Sequence, residues 1–147
     1  MGADLDLEKT STWCYINELK VVDVMSKLRS RFFKTKAFAK QAAKAQIVDE
    51  ELLRAGRDLA MGKGDSLGGN VWKKRLNKNM HRSIVVEKVG DYWFFVYLYA
   101  KNDRENIDQA EEVAFKRLAT LFEAMSNAQL DDQLKIKELL EIVSDGD

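Results

Sequence analysis

The chain has 147 residues, 46% of them hydrophobic and 33% charged, which is enough for one folded domain and excludes a wholly disordered protein. Its formal net charge is zero, but residues 27–104 hold 18 Lys and Arg against 8 Asp and Glu, and the two flanks hold the matching acidic excess. A single cysteine excludes an internal disulfide, and one cysteine with one histidine argues against a zinc site. No apolar run is long enough for a membrane helix, and the acidic first residues are unlike a secretory signal. We therefore expect a cytoplasmic protein without metal, cofactor or membrane contact.

The elements predicted before the sheet are helices and one short strand. In chain order they are a helix over residues 13–28, a short strand or extended link over Arg31–Thr35, and helices over residues 36–45 and 50–61. Residues 10–12 can cap the first helix, and Asp49 can cap the third. We assign residues 1–30 to an N-terminal extension, expected to be helical, and residues 31–147 to the main domain.

Residues 71–100 predict a three-stranded antiparallel meander. The strands cover residues 71–76, 83–88 and 91–100 and are rich in β-branched and aromatic side chains. Val89 and Gly90 are typical of the hairpin turn between the last two strands. The glycine-rich segment 62–70 is predicted to be a turn that leads from the preceding helix into the sheet. It lacks the GxxxxGK[ST] order of a phosphate-binding loop.

A long helix is predicted after the sheet. Asn106 or Asp108 caps it, and apolar residues follow helical spacing to about Met125. The segment 128–143 is either one helix or a helix followed by a final strand. The fold class is therefore α+β, with a small antiparallel sheet packed by two N-terminal helices and by the long helix after the hairpin.

Basic side chains are concentrated on the predicted sheet. Residues 71–82 contain five cations and no acid, namely Lys73, Lys74, Arg75, Lys78 and Arg82. Because strand residues alternate between faces, Lys73 and Arg75 lie opposite Trp72 and Leu76. If Trp72 and Leu76 are core residues, the two cations face a polyanion such as RNA. The alternative is that the acidic flanks of the chain neutralise and cover this surface.

The aromatic residues of the last strand and His81 have two interpretations each. Alternation places Trp93, Phe95, Tyr97 and Tyr99 on one face, where they pack in the core or stack on bases. A two-residue turn would pair Arg82 with Tyr97, whereas a three-residue turn would pair His81 with Tyr99. His81 is the only histidine, so it is either a general acid or base near neutral pH or a structural residue.

Ordered sequence motifs run through roughly residues 32–143. They are FKTK at residues 33–36 with Phe38, DEEL at residues 49–52, LGGNVWKKRL at residues 67–76, and the run from Phe95 to the AKNDRENI of residues 100–107. In these motifs the chain resembles the RelE/ParE/HigB superfamily of toxins from bacterial type II toxin–antitoxin systems, and most closely its RelE-type, phage-associated branch. The chain departs from the superfamily in a shortened loop at residues 77–80 and in residues 1–30, which have no counterpart.

This resemblance implies a toxin domain over residues 31–147 that acts as a ribosome-dependent, metal-independent mRNA endonuclease. It implies a cognate antitoxin, expected to be a helix-turn-helix protein, and the ribosome and mRNA as further partners. The candidate catalytic residues are Lys73, Arg75, His81 and Arg82. The candidate RNA-binding residues are Lys74, Lys78, Tyr97, Tyr99, Lys101 and Arg104. Two alternatives stay open: a ParE-like toxin that binds DNA gyrase, and a non-catalytic domesticated toxin or phage regulator that acts by protein binding.

Overall fold

The computed structural model of the chain describes residues 29–144. The helix predicted over residues 13–28 lies outside them. The elements in chain order are β1 (Arg31–Thr35), α1 (Lys36–Lys44), α2 (Asp49–Ala60), β2 (Asp65–Gly68), β3 (Val71–Leu76), β4 (His81–Lys88), β5 (Tyr92–Ala100), α3 (Gln109–Ala124), α4 (Asn127–Lys135) and β6 (Leu139–Ile142).

The strands form one six-stranded sheet in the order β2-β3-β4-β5-β1-β6. β1 is parallel to β5, and the other neighbouring strands are antiparallel. Helices α1 and α2 pack on one face of the sheet, and α3 and α4 pack on the other. We call these the α1/α2 face and the α3/α4 face. The α+β class and the antiparallel meander are confirmed.

Side-chain caps explain where most helices begin. The Thr35 hydroxyl accepts the Phe38 N–H at the start of α1, and Asp108 caps α3 in a capping box with Glu111, which decides between Asn106 and Asp108. The predicted cap at Asp49 is wrong. Asp49 is the first residue of α2, and its carboxylate accepts a hydrogen bond from Lys34 Nζ at 2.7 Å. The carboxylate still lies at the positive end of the helix dipole.

Two edge strands make the sheet wider than the predicted meander. Residues 65–68 pair with β3 as β2, so the expectation that segment 62–70 is only a turn is wrong. The C-terminal segment is a helix followed by a strand, β6, which pairs with β1. The guanidinium of Arg31 donates to both carboxylate oxygens of Glu141 at 2.9 and 2.8 Å, and this fork fixes β6 against β1.

A β-bulge in β5 determines which residues share a face. The turn at residues 89–91 has three residues, and the ladder runs from Lys88↔Tyr92 to Val85↔Phe95 before shifting to Ile84↔Tyr97. Val96 is the extra residue, and it reverses the alternation after it. Trp93 and Phe95 therefore belong to the core of the α1/α2 face, while Tyr97 and Tyr99 lie on the α3/α4 face. The expectation that all four aromatics share one face is wrong.

Candidate nucleic-acid interface

Three cations lie on the α3/α4 face at one end of the sheet. Trp72 and Leu76 pack with the core of the α1/α2 face, so alternation places Lys73 and Arg75 on the other face, as expected. Arg75 is directly opposite Arg82 in the ladder between β3 and β4. We call Lys73, Arg75 and Arg82 the cationic row. Their backbones are fixed by two paired strands, so the three side chains start from fixed positions on one face of the sheet.

Tyr99 lies beside this row and is almost fully buried. It pairs with Arg82 across the β4–β5 ladder, which neither predicted turn length would give, because the bulge shifts the register by one residue. The side chain is 5% exposed, and its hydroxyl has no hydrogen-bond partner within residues 29–144. Burial raises the pKa of Tyr99, so the phenol stays protonated at neutral pH.

The turn at residues 77–80 fixes the orientation of Arg82. Asn77, Lys78 and Asn79 all have positive φ, at 53°, 51° and 71°. Each non-glycine residue in this left-handed region costs about 1–2 kcal/mol, although asparagine tolerates it better than most. The turn is held by a short hydrogen bond from the Asn77 N–H to Glu51 Oε2. Arg82 Nη1 then donates to the Asn79 carbonyl at 3.0 Å, which sets the position of the guanidinium.

Arg104 is held by other side chains at the edge of the site. Its guanidinium forms a fork with both carboxylate oxygens of Glu111 and donates to the Tyr97 hydroxyl at 3.3 Å. The guanidinium carbon also lies 5.6 Å from the centre of the Tyr99 ring. The hydrogen bond with Glu111 raises the pKa of Arg104, and the same bond lowers the pKa of Glu111. Arg104 therefore fixes the loop after β5 to α3.

Acidification is expected to weaken this tie. In the folded protein the pKa of Glu111 lies below its ordinary value of 4.5. The bond between Glu111 and Arg104 therefore stabilises the fold fully when the pH is above 4.5, and this stabilisation is lost as the pH falls through the lower pKa of the folded state. We expect Glu111→Gln to remove this part of the pH dependence. The measurement is the free energy of unfolding in urea between about pH 6 and pH 3 for both proteins. Equal slopes against pH in the two proteins would contradict the pairing.

Two predicted site residues lie on the α1/α2 face instead. His81 pairs with Leu76 in the ladder, and its Nδ1 lies 3.1 Å from Asn77 Nδ2. Lys74 Nζ donates to the Lys63 carbonyl at 2.9 Å and lies 3.2 Å from Asp58 Oδ2. The structure does not bring His81 or Lys74 together with the cationic row.

An open groove of about 660 Å³ continues the basic surface around the end of β3. It lies between α2 and β3, and most of its charged side chains are basic, namely Arg54, Arg57, Lys74, Arg75 and Lys78. Arg75 belongs both to this groove and to the cationic row. Lys101 is exposed in the turn after β5, and its N–H donates to the Met80 carbonyl, which joins that turn to the turn before β4. Lys78 and Lys101 therefore lie at the same end of the sheet as the row.

Sequence reasoning missed several residues that shape this site. Glu51 holds the turn at residues 77–80, and the Asn79 carbonyl holds Arg82. Asn106 Oδ1 lies 3.4 Å from Lys73 Nζ, and Glu111 holds Arg104. The two asparagines in Asn77-Lys78-Asn79 are a signal for left-handed backbone that could have identified the turn. Glu111 carries the signal of a capping box, but that signal does not disclose its bond to Arg104.

Within residues 29–144, no cluster of three or more His, Cys, Asp or Glu side chains could hold a metal ion. The helices in that range are also too short or too polar to cross a membrane.

One comparison with known proteins identifies the family. Residues 30–142 match the model of a family described as the RelE toxin of the RelE/RelB toxin–antitoxin system. Neither a curated protein nor a solved structure matches the chain. The match begins one residue before β1 and ends with the last residue of β6, so it contains the sheet, the four helices found within residues 29–144 and the cationic row. The chain therefore belongs to the RelE toxin family, the toxins of RelE/RelB toxin–antitoxin systems.

Proposed function

We propose that this toxin is an endonuclease that cleaves mRNA on the ribosome without a metal ion and that a cognate antitoxin neutralises it. The observation that carries the proposal is the cationic row, because Lys73, Arg75 and Arg82 lie on one face of two paired strands. Cleavage of RNA needs such a surface, since negative charge accumulates on the phosphate in the transition state.

The reaction proposed is an in-line transfer within the RNA. The 2′-oxygen bonds to the adjacent phosphorus, the bond from phosphorus to the 5′-oxygen breaks, and the proton lost from the 2′-hydroxyl is balanced by one gained at the 5′-oxygen. The products are a 2′,3′-cyclic phosphate and a 5′-hydroxyl. Arg75 and Arg82 are assigned to the phosphate oxygens, because a guanidinium can donate two parallel hydrogen bonds to them. His81 lies on the opposite face, so the proposal assigns it no step.

The flanking nucleotides have a basic surface to follow. From the cationic row, the groove between α2 and β3 offers Arg54 and Arg57, and the turns beside it offer Lys78 and Lys101. These exposed cations bind phosphate without reading bases. Because the surface is basic, an antitoxin segment that neutralises it is expected to carry acidic side chains where it contacts the cationic row. A helix-turn-helix domain elsewhere in that partner is part of the proposal.

Expression of the full chain in a bacterium tests the proposal directly. We expect growth arrest within minutes of induction and ribosome-bound mRNA fragments that carry 5′-hydroxyl ends. Co-expression of the antitoxin should prevent both effects. Growth arrest with intact mRNA and broken DNA would contradict cleavage and favour a gyrase-binding toxin. Normal growth with intact mRNA would contradict it in favour of a non-catalytic protein.

A further inference from the structure

Three consecutive residues in the turn between β3 and β4 have left-handed backbone. Asn77, Lys78 and Asn79 have φ values of 53°, 51° and 71°. Asparagine tolerates this region better than most residues, but lysine has no such tendency, so a run of three is unfavourable by itself. The Met80 N–H donates to the Asn77 carbonyl at 2.9 Å and closes the turn. A strained backbone of this kind persists only where contacts from the surrounding structure hold it.

Glu51 of α2 provides such a contact. Its carboxylate oxygen Oε2 accepts a hydrogen bond from the Asn77 N–H, at the first of the three left-handed residues. The two residues are 26 positions apart in the sequence, so the bond joins the turn to a different element of the fold. Because the acceptor is a carboxylate, the bond is stronger than one between two neutral groups. Glu51 therefore ties the strained turn to the start of α2.

The start of α2 is a fixed support for this bond. Ala55 of α2 and Leu76 of β3 both belong to the core of the α1/α2 face. Glu51 lies one helical turn before Ala55, on the same side of the helix. Asn77 directly follows Leu76, so the packing of α2 on β3 brings the Glu51 carboxylate to the turn. These four residues all line the groove between α2 and β3. The buried residues that hold α2 in place are Leu52, Leu53, Ala55, Gly56 and Leu59.

Arg82 takes its orientation from this turn and from the strand that follows it. Its Nη1 donates to the Asn79 carbonyl at 3.0 Å and to the His81 carbonyl at 3.1 Å. The His81 carbonyl belongs to β4, so it stays in place if the turn changes. The Asn79 carbonyl belongs to the left-handed segment and moves with it. A changed turn would therefore leave the guanidinium with only one of these two acceptors and free to rotate.

We propose that Glu51 is a positioning residue of this toxin, which holds the turn in the conformation where the Asn79 carbonyl orients Arg82. Glu51 lies on the α1/α2 face and Arg82 on the α3/α4 face, so Glu51 acts through the turn and not on the RNA. The catalytic consequence rests on the proposed function. The orientation of Arg82, in contrast, is a property of the free protein.

The first test is the rate of mRNA cleavage. We expect Glu51→Ala to lower the rate at saturating toxin by about 10- to 100-fold, since displacing a catalytic group by about 1 Å can cost 100-fold. RNA affinity should change by less than about 2-fold, because every cation of the phosphate surface remains. Glu51→Gln keeps an acceptor oxygen at the same position and should restore most of the rate. The matched control is Glu50→Ala, which removes the same charge from the same first turn of α2 at an exposed position and should leave the rate unchanged.

A double-mutant cycle separates positioning from a general structural role. If Glu51 acts through Arg82, adding Glu51→Ala to Arg82→Ala should cause no further loss of rate. A loss as large as in the unaltered background would overturn the inference, and so would a lower unfolding midpoint with an unchanged rate per folded molecule. Glu51→Asp keeps the charge but withdraws the acceptor by one methylene group. It should also lower the rate, so the test does not depend on whether the alanine variant folds.

The orientation of Arg82 has a measurement that needs no cleavage. In the ¹⁵N-labelled full chain, the Arg82 Nε–H signal is identified by its absence from the spectrum of Arg82→Lys. We expect this signal to move towards that of a free arginine in Glu51→Ala and to stay in place in Glu51→Gln and Glu50→Ala. An unmoved signal in Glu51→Ala would overturn the inference. The expected movement without mRNA cleavage by the unaltered chain would refute the proposed function alone, and full-rate cleavage by Glu51→Ala would refute the positioning role alone.

Discussion

Arg82→Ala is expected to lower mRNA cleavage by about 100–1,000-fold, the usual effect of removing one preorganised donor to transition-state charge. Arg82 is central to the site, since it pairs with Arg75 on one side and with Tyr99 on the other. Its guanidinium is oriented by the Asn79 carbonyl before any RNA binds. The measurement is the rate of cleavage of ribosome-bound mRNA at saturating toxin, followed by primer extension.

Two matched variants separate position from charge. Arg82→Lys keeps the charge but loses the two parallel donors, so we expect an activity between those of the unaltered chain and the alanine variant. Lys40→Ala removes an exposed cation from α1, on the other side of the sheet, and should leave the rate unchanged. Full activity of Arg82→Ala, or an equal loss in Lys40→Ala, would contradict the assignment. Melting curves of all three variants check that the fold is intact.

Phe94→Ala is expected to lower the free energy of unfolding by about 3–5 kcal/mol, the cost of truncating a fully buried phenylalanine. Phe94 is 0% exposed on the α3/α4 face. Its ring stacks on Phe33 of β1 at 5.0 Å and contacts Phe122 of α3 at 4.5 Å between centroids. The lost side chain would therefore loosen three elements together. Urea unfolding, followed by tryptophan fluorescence, measures the change.

The control for this prediction is Val89→Ala. Val89 is 68% exposed in the β4–β5 turn, and truncation there should cost less than about 0.5 kcal/mol. A change in Phe94→Ala as small as in Val89→Ala would contradict the packing. A change in the slope against urea would mean that the variant has lost part of its structure, not only stability.

Much of the fold followed from local sequence signals. Helices α1, α2 and α3 were predicted within a few residues, because their apolar spacing is encoded over one or two turns, and Asp108 also marks the start of α3. Strands β3, β4 and β5 were found for a similar reason, since β-branched and aromatic runs mark them. The faces of Lys73 and Arg75 also followed, because alternation along a regular strand depends on nothing outside it.

Contacts between distant segments explain what was missed. Pairing of β1 with both β5 and β6 depends on strands far along the chain, and no local pattern encodes it. The bulge at Val96 is a single extra residue, yet it moves Tyr97 and Tyr99 to the opposite face from Trp93 and Phe95. β2 was missed because the glycines of the segment 62–70 suggest a turn.

The candidate site shows the same limit at the level of side chains. Sequence reasoning proposed Arg104 as an RNA-binding residue, because it lies just past the end of the last predicted strand. In the structure its guanidinium bonds with Glu111 and Tyr97. That arrangement depends on how the loop at residues 101–108 returns to α3, and a motif specifies residue types without specifying the path of the loop.

The position of β1 between β5 and β6 has a consequence for the order of folding. Arg31 and Glu141 lie 110 residues apart in the sequence, yet they bond across neighbouring strands. Contacts of such high contact order form late, because a long stretch of chain must close before they contribute. β1 can pair with β5 on one side, but its other edge stays unpaired until β6 has been translated. A nascent chain that stops before β6 therefore lacks the strand that completes this edge of the sheet, and the toxin domain completes its fold only after residue 142 has been made.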